Sequence, residues 1–195
     1  MGGTLFLANC GSTPVSLDYQ PSLSRPVPGT TKVAAGRFAN MRRQGSSYLG
    51  TVRSPIGTPI ETLTTNVPIE DVVRNAFAHG LSVRGMFAAT GSSPYVINGE
   101  ILDLHCDQVI KPAAYVSLRV NLVQKSTGQV LFSKIYEAER EGTAFVPGSG
   151  SPVPRLRELT SRALQDAVDK ALDDRMLRNR LSAASNSRSG TPDIL

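Results

Sequence analysis

Tyr115-Val-Ser-Leu-Arg-Val-Asn-Leu122 alternates strictly: Val116, Leu118, Val120 and Leu122 interleave with Tyr115, Ser117, Arg119 and Asn121. Successive strand side chains point to opposite faces, so this segment covers a core with one face and meets solvent with the other. The polar turn Lys125-Ser-Thr-Gly128 leads into a further strand over 129–141, and its glycine suits the positive φ of hairpin loops. Before it, 94–106 reads as a strand with Val96, Leu102, Leu104 and Cys106 on one side and Asp103 and His105 on the other. The stretch 94–141 is therefore a three-stranded antiparallel meander, and the rest of the chain has to cover it.

The flanking segments supply that cover. A first strand is expected over 31–43, with Val33, Ala35 and Phe38 apolar and Gly36 marking a bulge; a second runs over 48–53. Residues 54–66 read as a loop with extended pieces around 60–63. A helix should begin near Asn66 or Pro68, because Pro suits a first turn and Glu70-Asp71 suits the positive end of the helix dipole. Ile69, Val72, Val73, Ala76 and Phe77 follow at helical spacing, and Gly80 is the natural stop, with weaker helical continuation as far as Arg84. A second helix over 155–180 carries one apolar stripe from Leu156 to Leu172 and three acid-before-base pairs, Glu158/Arg162, Asp166/Lys170 and Asp174/Arg178. These patterns give an α+β fold: an antiparallel sheet of about five strands with two helices on one face, ordered β-β-α-β-β-β-α. Residues 31–181 form this single domain, 1–30 a leader and flexible tether, and 182–195 a disordered tail.

Charge narrows the partners. The formal net charge is +5, but the excess sits in residues 1–65, which carry six basic and two acidic side chains. Residues 66–154 carry seven basic and eight acidic groups, so no basic stripe crosses the folded core and a nucleic-acid partner is not expected. No run is long enough to span a bilayer as a helix.

Catalysis finds little material. The chain has two histidines, and His79 falls on the polar side of its helix. His105 adjoins Cys106, but strand neighbours point apart and cannot form a thiolate–imidazole pair. Asp103, His105 and Asp107 share a face, yet three ligands along one strand lack the convergence of a structural metal site. Gly148-Ser-Gly-Ser-Pro152 lacks both the dinucleotide fingerprint and a Gly-Lys-Ser/Thr phosphate loop. No catalytic residue, metal or cofactor is expected.

Cys10 carries the sharpest signal. Leu7-Ala8-Asn9-Cys10 resembles a bacterial lipobox, in which a small residue precedes a cysteine that becomes lipidated and N-terminal. Leu7 and Ala8 fit this pattern, while Asn9 stands where Gly, Ala or Ser is usual, and no Lys/Arg-rich segment precedes the short apolar run. The alternative is an unmodified cysteine in a cytoplasmic arm.

From residue 31 to 180 the chain resembles the YajG family of small Gram-negative envelope lipoproteins. The resemblance is carried by Leu49-Gly-Thr-Val-Arg53 with Gly57 and Pro59, by 68–77 with Gly80-Leu81, by 115–122, by Gly128 to Tyr136, and by Leu164-Gln-Asp-Ala-Val-Asp169 with Leu172. It implies a lipid-anchored periplasmic α+β domain at the outer membrane, an envelope protein as partner, and no catalytic residues. A wider similarity in layout to auxiliary lipoproteins of ABC-type lipid transporters implies the alternative, a transport accessory subunit.

Overall fold

The computed structural model describes residues 11–22, 26, 31–89, 91–144 and 150–186. Seven strands form one sheet: β1 (Gly11–Val15), β2 (Ala34–Asn40), β3 (Tyr48–Arg53), β4 (Pro59–Thr65), β5 (Tyr95–Gln108), β6 (Pro112–Gln124) and β7 (Val130–Glu141). Helix α1 (Ile69–Val83) lies between β4 and β5, and α2 (Val153–Leu172) and α3 (Arg175–Asn186) follow β7. The expected meander is present: β5 pairs with β6 and β6 with β7, all antiparallel. Val120 is fully buried on the face covered by α2, while Arg119 on the other face pairs with Glu100 across to β5.

The sheet is larger than the expected five strands and is mixed rather than antiparallel. Both β2 and β3 run parallel to β5, and β1 runs parallel to β4, giving the order β1-β4-β3-β5-β6-β7 with β2 also on β5. One long strand serves two neighbours in turn. β2 lines up with the first half of β5, from Ala34 opposite Val96 to Asn40 opposite Ile101, and β3 with its last turn, from Gly50 opposite Cys106 to Val52 opposite Gln108. Gly50 is required at that junction, since a Cβ there would lie 1.7 Å from the Cys106 carbonyl oxygen.

The changeover coincides with a bulge in β5 between Ile101 and Asp103. An extra residue reverses the alternation, so the buried row runs Tyr95, Ile97, Gly99 and Ile101 and then shifts to Leu104, Cys106 and Gln108. The expected row of Val96, Leu102, Leu104 and Cys106 is correct only beyond the bulge; Val96 and Leu102 stay half-exposed. The irregularity expected at Gly36 is present between Ala35 and Phe38.

Helix α1 packs on β2, with Phe77 stacked on Phe38 at 4.7 Å between ring centres, and α2 crosses β6, β7 and β5 beside it. Gly80 does not end α1. It is where the two helices close on each other: a Cβ there would sit 2.6 Å from both the Leu172 Cδ1 and the Tyr19 hydroxyl. The helix stops at Val83, and Gly85, with φ of +69°, turns the chain away.

The single helix expected over 155–180 is broken at Asp173-Asp174. The Asp174 carboxylate accepts the Met176 backbone N–H at 2.7 Å, capping α3, and also takes the Lys134 ammonium and the Tyr136 hydroxyl of β7. Two expected helix pairs are thereby replaced. Asp166 binds Arg140 of β7 and Arg178 binds Asp173, while Glu158 and Arg162 pair as expected at 2.7 Å. With the chain turned, Leu177 and Leu181 enter the core. Helix α3 thus extends into the expected tail as far as Asn186, and the remainder of that tail lies outside the described residues.

The expected tether is also different where it is described. Gly11–Val15 form an edge strand of the sheet, and residues 16–22 cross the helices as a strap. Pro14 sits where an edge strand tolerates a missing donor.

Candidate functional site

The expected surface row is present on the open sheet face, where Asp103, His105 and Asp107 stand together. His105 Nδ1 lies 2.6 Å from Asp103, its Nε2 lies 3.5 Å from Asp107, and its ring stacks on Tyr115 at 4.9 Å. Hydrogen bonding to Asp103 raises the imidazole pKa above its ordinary value, against partial burial and the nearby Arg42. Among the described residues no group of three His, Cys, Asp or Glu side chains is arranged to hold a metal ion. Cys106 faces the other way, into the core, and burial pushes its thiol up to about 11. That leaves it a poor nucleophile. His79 is exposed on α1 and meets the edge of Tyr19.

Under the strap lies a buried ionic cluster that sequence patterning did not reveal. Arg84, at the C-terminal end of α1 and 1% exposed, donates to Asp169 at 2.9 Å and to both oxygens of Asp173 at 3.0 and 2.9 Å. It also reaches back to the Gly80 carbonyl at 3.1 Å. The Tyr19 hydroxyl donates to Asp169 at 2.7 Å, and the Ser22 backbone N–H to the other carboxylate oxygen at 3.0 Å. Burial alone would raise the Asp169 carboxyl, but the donors from Ser22, Tyr19 and Arg84 outweigh it and hold it below the ordinary aspartate range. Each member is consumed by another, so the cluster fastens the strap and offers no free group for chemistry.

The most distinctive surface lies at one end of the sheet. The turn 54–58 joining β3 to β4 and the turn 109–111 joining β5 to β6 stand side by side with the start of α2. They enclose an open groove of about 570 Å³ lined by Pro55, Ile60, Val109, Ile110 and Pro152. Ile56, at the tip of the first turn, is 89% exposed; Ile110 is 67% exposed and Ile60 55%. Turn tips ordinarily carry Gly, Pro, Asn, Asp or Ser, so isoleucine at two adjacent tips is out of place for a solvated loop. That incongruity was the available sequence signal. At the groove floor, the buried Gln108 side-chain oxygen has no hydrogen-bond partner.

Leu7, Ala8, Asn9 and Cys10 lie outside the described residues. Their neighbour does not. Gly11 is the first residue of β1 and stands opposite Glu61, next to the groove residue Ile60.

No family model matches this chain, and no curated protein matches it. Among solved structures it is similar to a Xanthomonas campestris protein of family DUF330, with a TM-score of 0.63, 16% identity, and coverage of 90% of this chain and 99% of that one. A fainter likeness reaches the PelC dodecamer of Paraburkholderia phytofirmans (TM-score 0.40, 14% identity, 79% of this chain and 93% of that one). Another reaches a minor lipoprotein of Acinetobacter baumannii (TM-score 0.42, 10% identity, 70% and 91%). The first of these likenesses shows that this chain, over the 90% that is matched, shares its fold with the Xanthomonas protein.

Proposed function

We propose that this chain is a non-enzymatic lipoprotein of a Gram-negative envelope, of the YajG type. It is held through Cys10 at the outer membrane, faces the periplasm, and serves as an accessory to another envelope protein. The observation that carries this reading is the junction at residue 10: a lipobox-like Leu7-Ala8-Asn9-Cys10 runs directly into the first strand of a folded domain. Processing before Cys10 would remove nothing from the described sheet. The polar open face, with His105, Arg119 and Glu100 at its centre, suits a protein partner, whereas the two larger helices close on each other at Gly80 and Leu172. The inert Cys106 and the self-satisfied ionic cluster support a role without catalysis. Intact-mass measurement of the membrane-extracted native product tests the reading. Loss of residues 1–9 with acyl groups added at Cys10 is the expected result, and Cys10→Ser should leave the chain unprocessed or in the soluble fraction. An unacylated mass with residues 1–9 retained overturns it.

A further inference from the structure

We propose that the groove end of the sheet is a lipid-contacting surface, with Ile56 and Ile110 entering the interfacial layer of the leaflet that carries the anchor. The inference rests on acylation at Cys10 and specifies how the domain then sits. Three independent features converge on one end of the molecule. The first is position: β1 starts beside the groove, so an anchor at Cys10 has no spacer and cannot hold this end far from the bilayer. The second is chemistry. Two neighbouring turns present isoleucine at their tips, Ile60 continues the apolar surface between them, and the exposed Lys111 beside Ile110 suits the phosphate layer of a leaflet. The third is the unpartnered side-chain oxygen of Gln108, a buried acceptor among the groove's lining residues, which favours an occupant carrying a hydrogen-bond donor over a wholly apolar one.

At the opposite end the tip of the β6–β7 turn, Lys125-Ser-Thr-Gly128, is polar and exposed and carries no isoleucine, with the exposed Val130 following it at the start of β7. The sheet would therefore stand with its strands across the interface, leaving the polar face available sideways to a partner.

The chain contains no tryptophan, so a single introduced indole reports its own depth. Ile56→Trp, Ile110→Trp and, at the far end, Ser126→Trp are made in the full chain. Each is coupled through Cys10 to a maleimide-bearing phospholipid in vesicles of phosphatidylethanolamine and phosphatidylglycerol. The buried Cys106 does not compete for the reagent. This coupling supplies an anchor whatever the cell does, so failure of natural acylation is read separately by mass. With brominated lipids included, the two groove-end probes should lose most of their emission and shift to the blue, while the Ser126→Trp probe stays bright. Groove-end probes that remain bright, or three probes quenched alike, overturn the proposal. So does blue-shifted emission without lipid accompanied by a concentration-dependent dimer that Ile56→Asp abolishes, because a second copy of the chain would then be the occupant.

Discussion

The two faces of this sheet carry similar side chains and put them to different uses. Towards the helices, the buried Arg84 and Asp169 form an ion pair removed from water, with Asp173 joining it from the partly exposed rim. On the open face, Arg119 with Glu100 and His105 with Asp103 form pairs that water reaches. A buried pair is worth little beyond the solvation its members lost, but removing one member strands the other at high cost. An exposed pair is screened and costs little to lose. Charge type therefore predicts little here until burial is known.

The largest effect should come from the core between the helices and the sheet. Val120→Asp places an unpaired carboxylate where no water reaches and should cost about 3–5 kcal/mol in urea unfolding. Arg119→Asp, one residue along and on the other face, should cost less than about 1 kcal/mol. Equal midpoints for the two variants would erase the distinction between the faces. Next in size, Arg84→Met removes the buried cation from Asp169, while Asp173 keeps Arg178, and should cost about 3 kcal/mol, lowering the melting temperature by roughly 6–12 °C. An Arg119→Met control should move it little. If the control matches Arg84→Met, the ionic cluster is not the fastening inferred from its geometry.

Acid should sharpen the contrast. The Asp169 carboxyl is held below its unfolded value, so the stability it contributes is present above about pH 4 and is lost as pH falls through the lower folded value. In Arg84→Met that loss should begin at higher pH, because one of the donors that lower the Asp169 carboxyl is gone. His105 has the opposite sign. Its pKa is raised on folding, so its contribution is present below about pH 6.5 and disappears as pH rises through the folded value. The smallest expected effect is the flattening of that neutral slope by His105→Gln, well under about 1 kcal/mol for a half-exposed pair. Chemical denaturation from pH 3 to 8 reads both slopes in one series.

What could be read from the sequence follows the same division. The meander and the two larger helices were legible because alternation and helical spacing are written by residues that face the core, as at Val116–Leu122 and Leu156–Leu172. Strand β4 was legible only as extended pieces around 60–63, and β1 not at all, for a physical reason. Gly11-Ser-Thr-Pro-Val15 buries only its last residue, and its pairing depends on a parallel neighbour some fifty residues away. No local pattern encodes such a partner. The bulge at Leu102 also leaves no composition signal, and a strict alternation rule therefore reads half of β5 on the wrong face. The lipobox-like motif ending at Cys10 could be read in the sequence, and it lies outside the described residues. The groove at the end of the sheet could not be read, because it needs two turns, 54–58 and 109–111, that only the fold brings together.

The strap across the helices has a consequence for the order in which the molecule comes into being. Tyr19 and Ser22 reach Asp169, roughly three-quarters of the chain length away, with separations of 150 and 147 residues. β2 and β3 cannot take their places in the sheet until β5 exists, although β3 and β4 can pair locally before it. The strap has to wait longer still, for α2. A chain emerging from its N-terminus therefore keeps residues 16–22 unlatched until nearly all of it has been made.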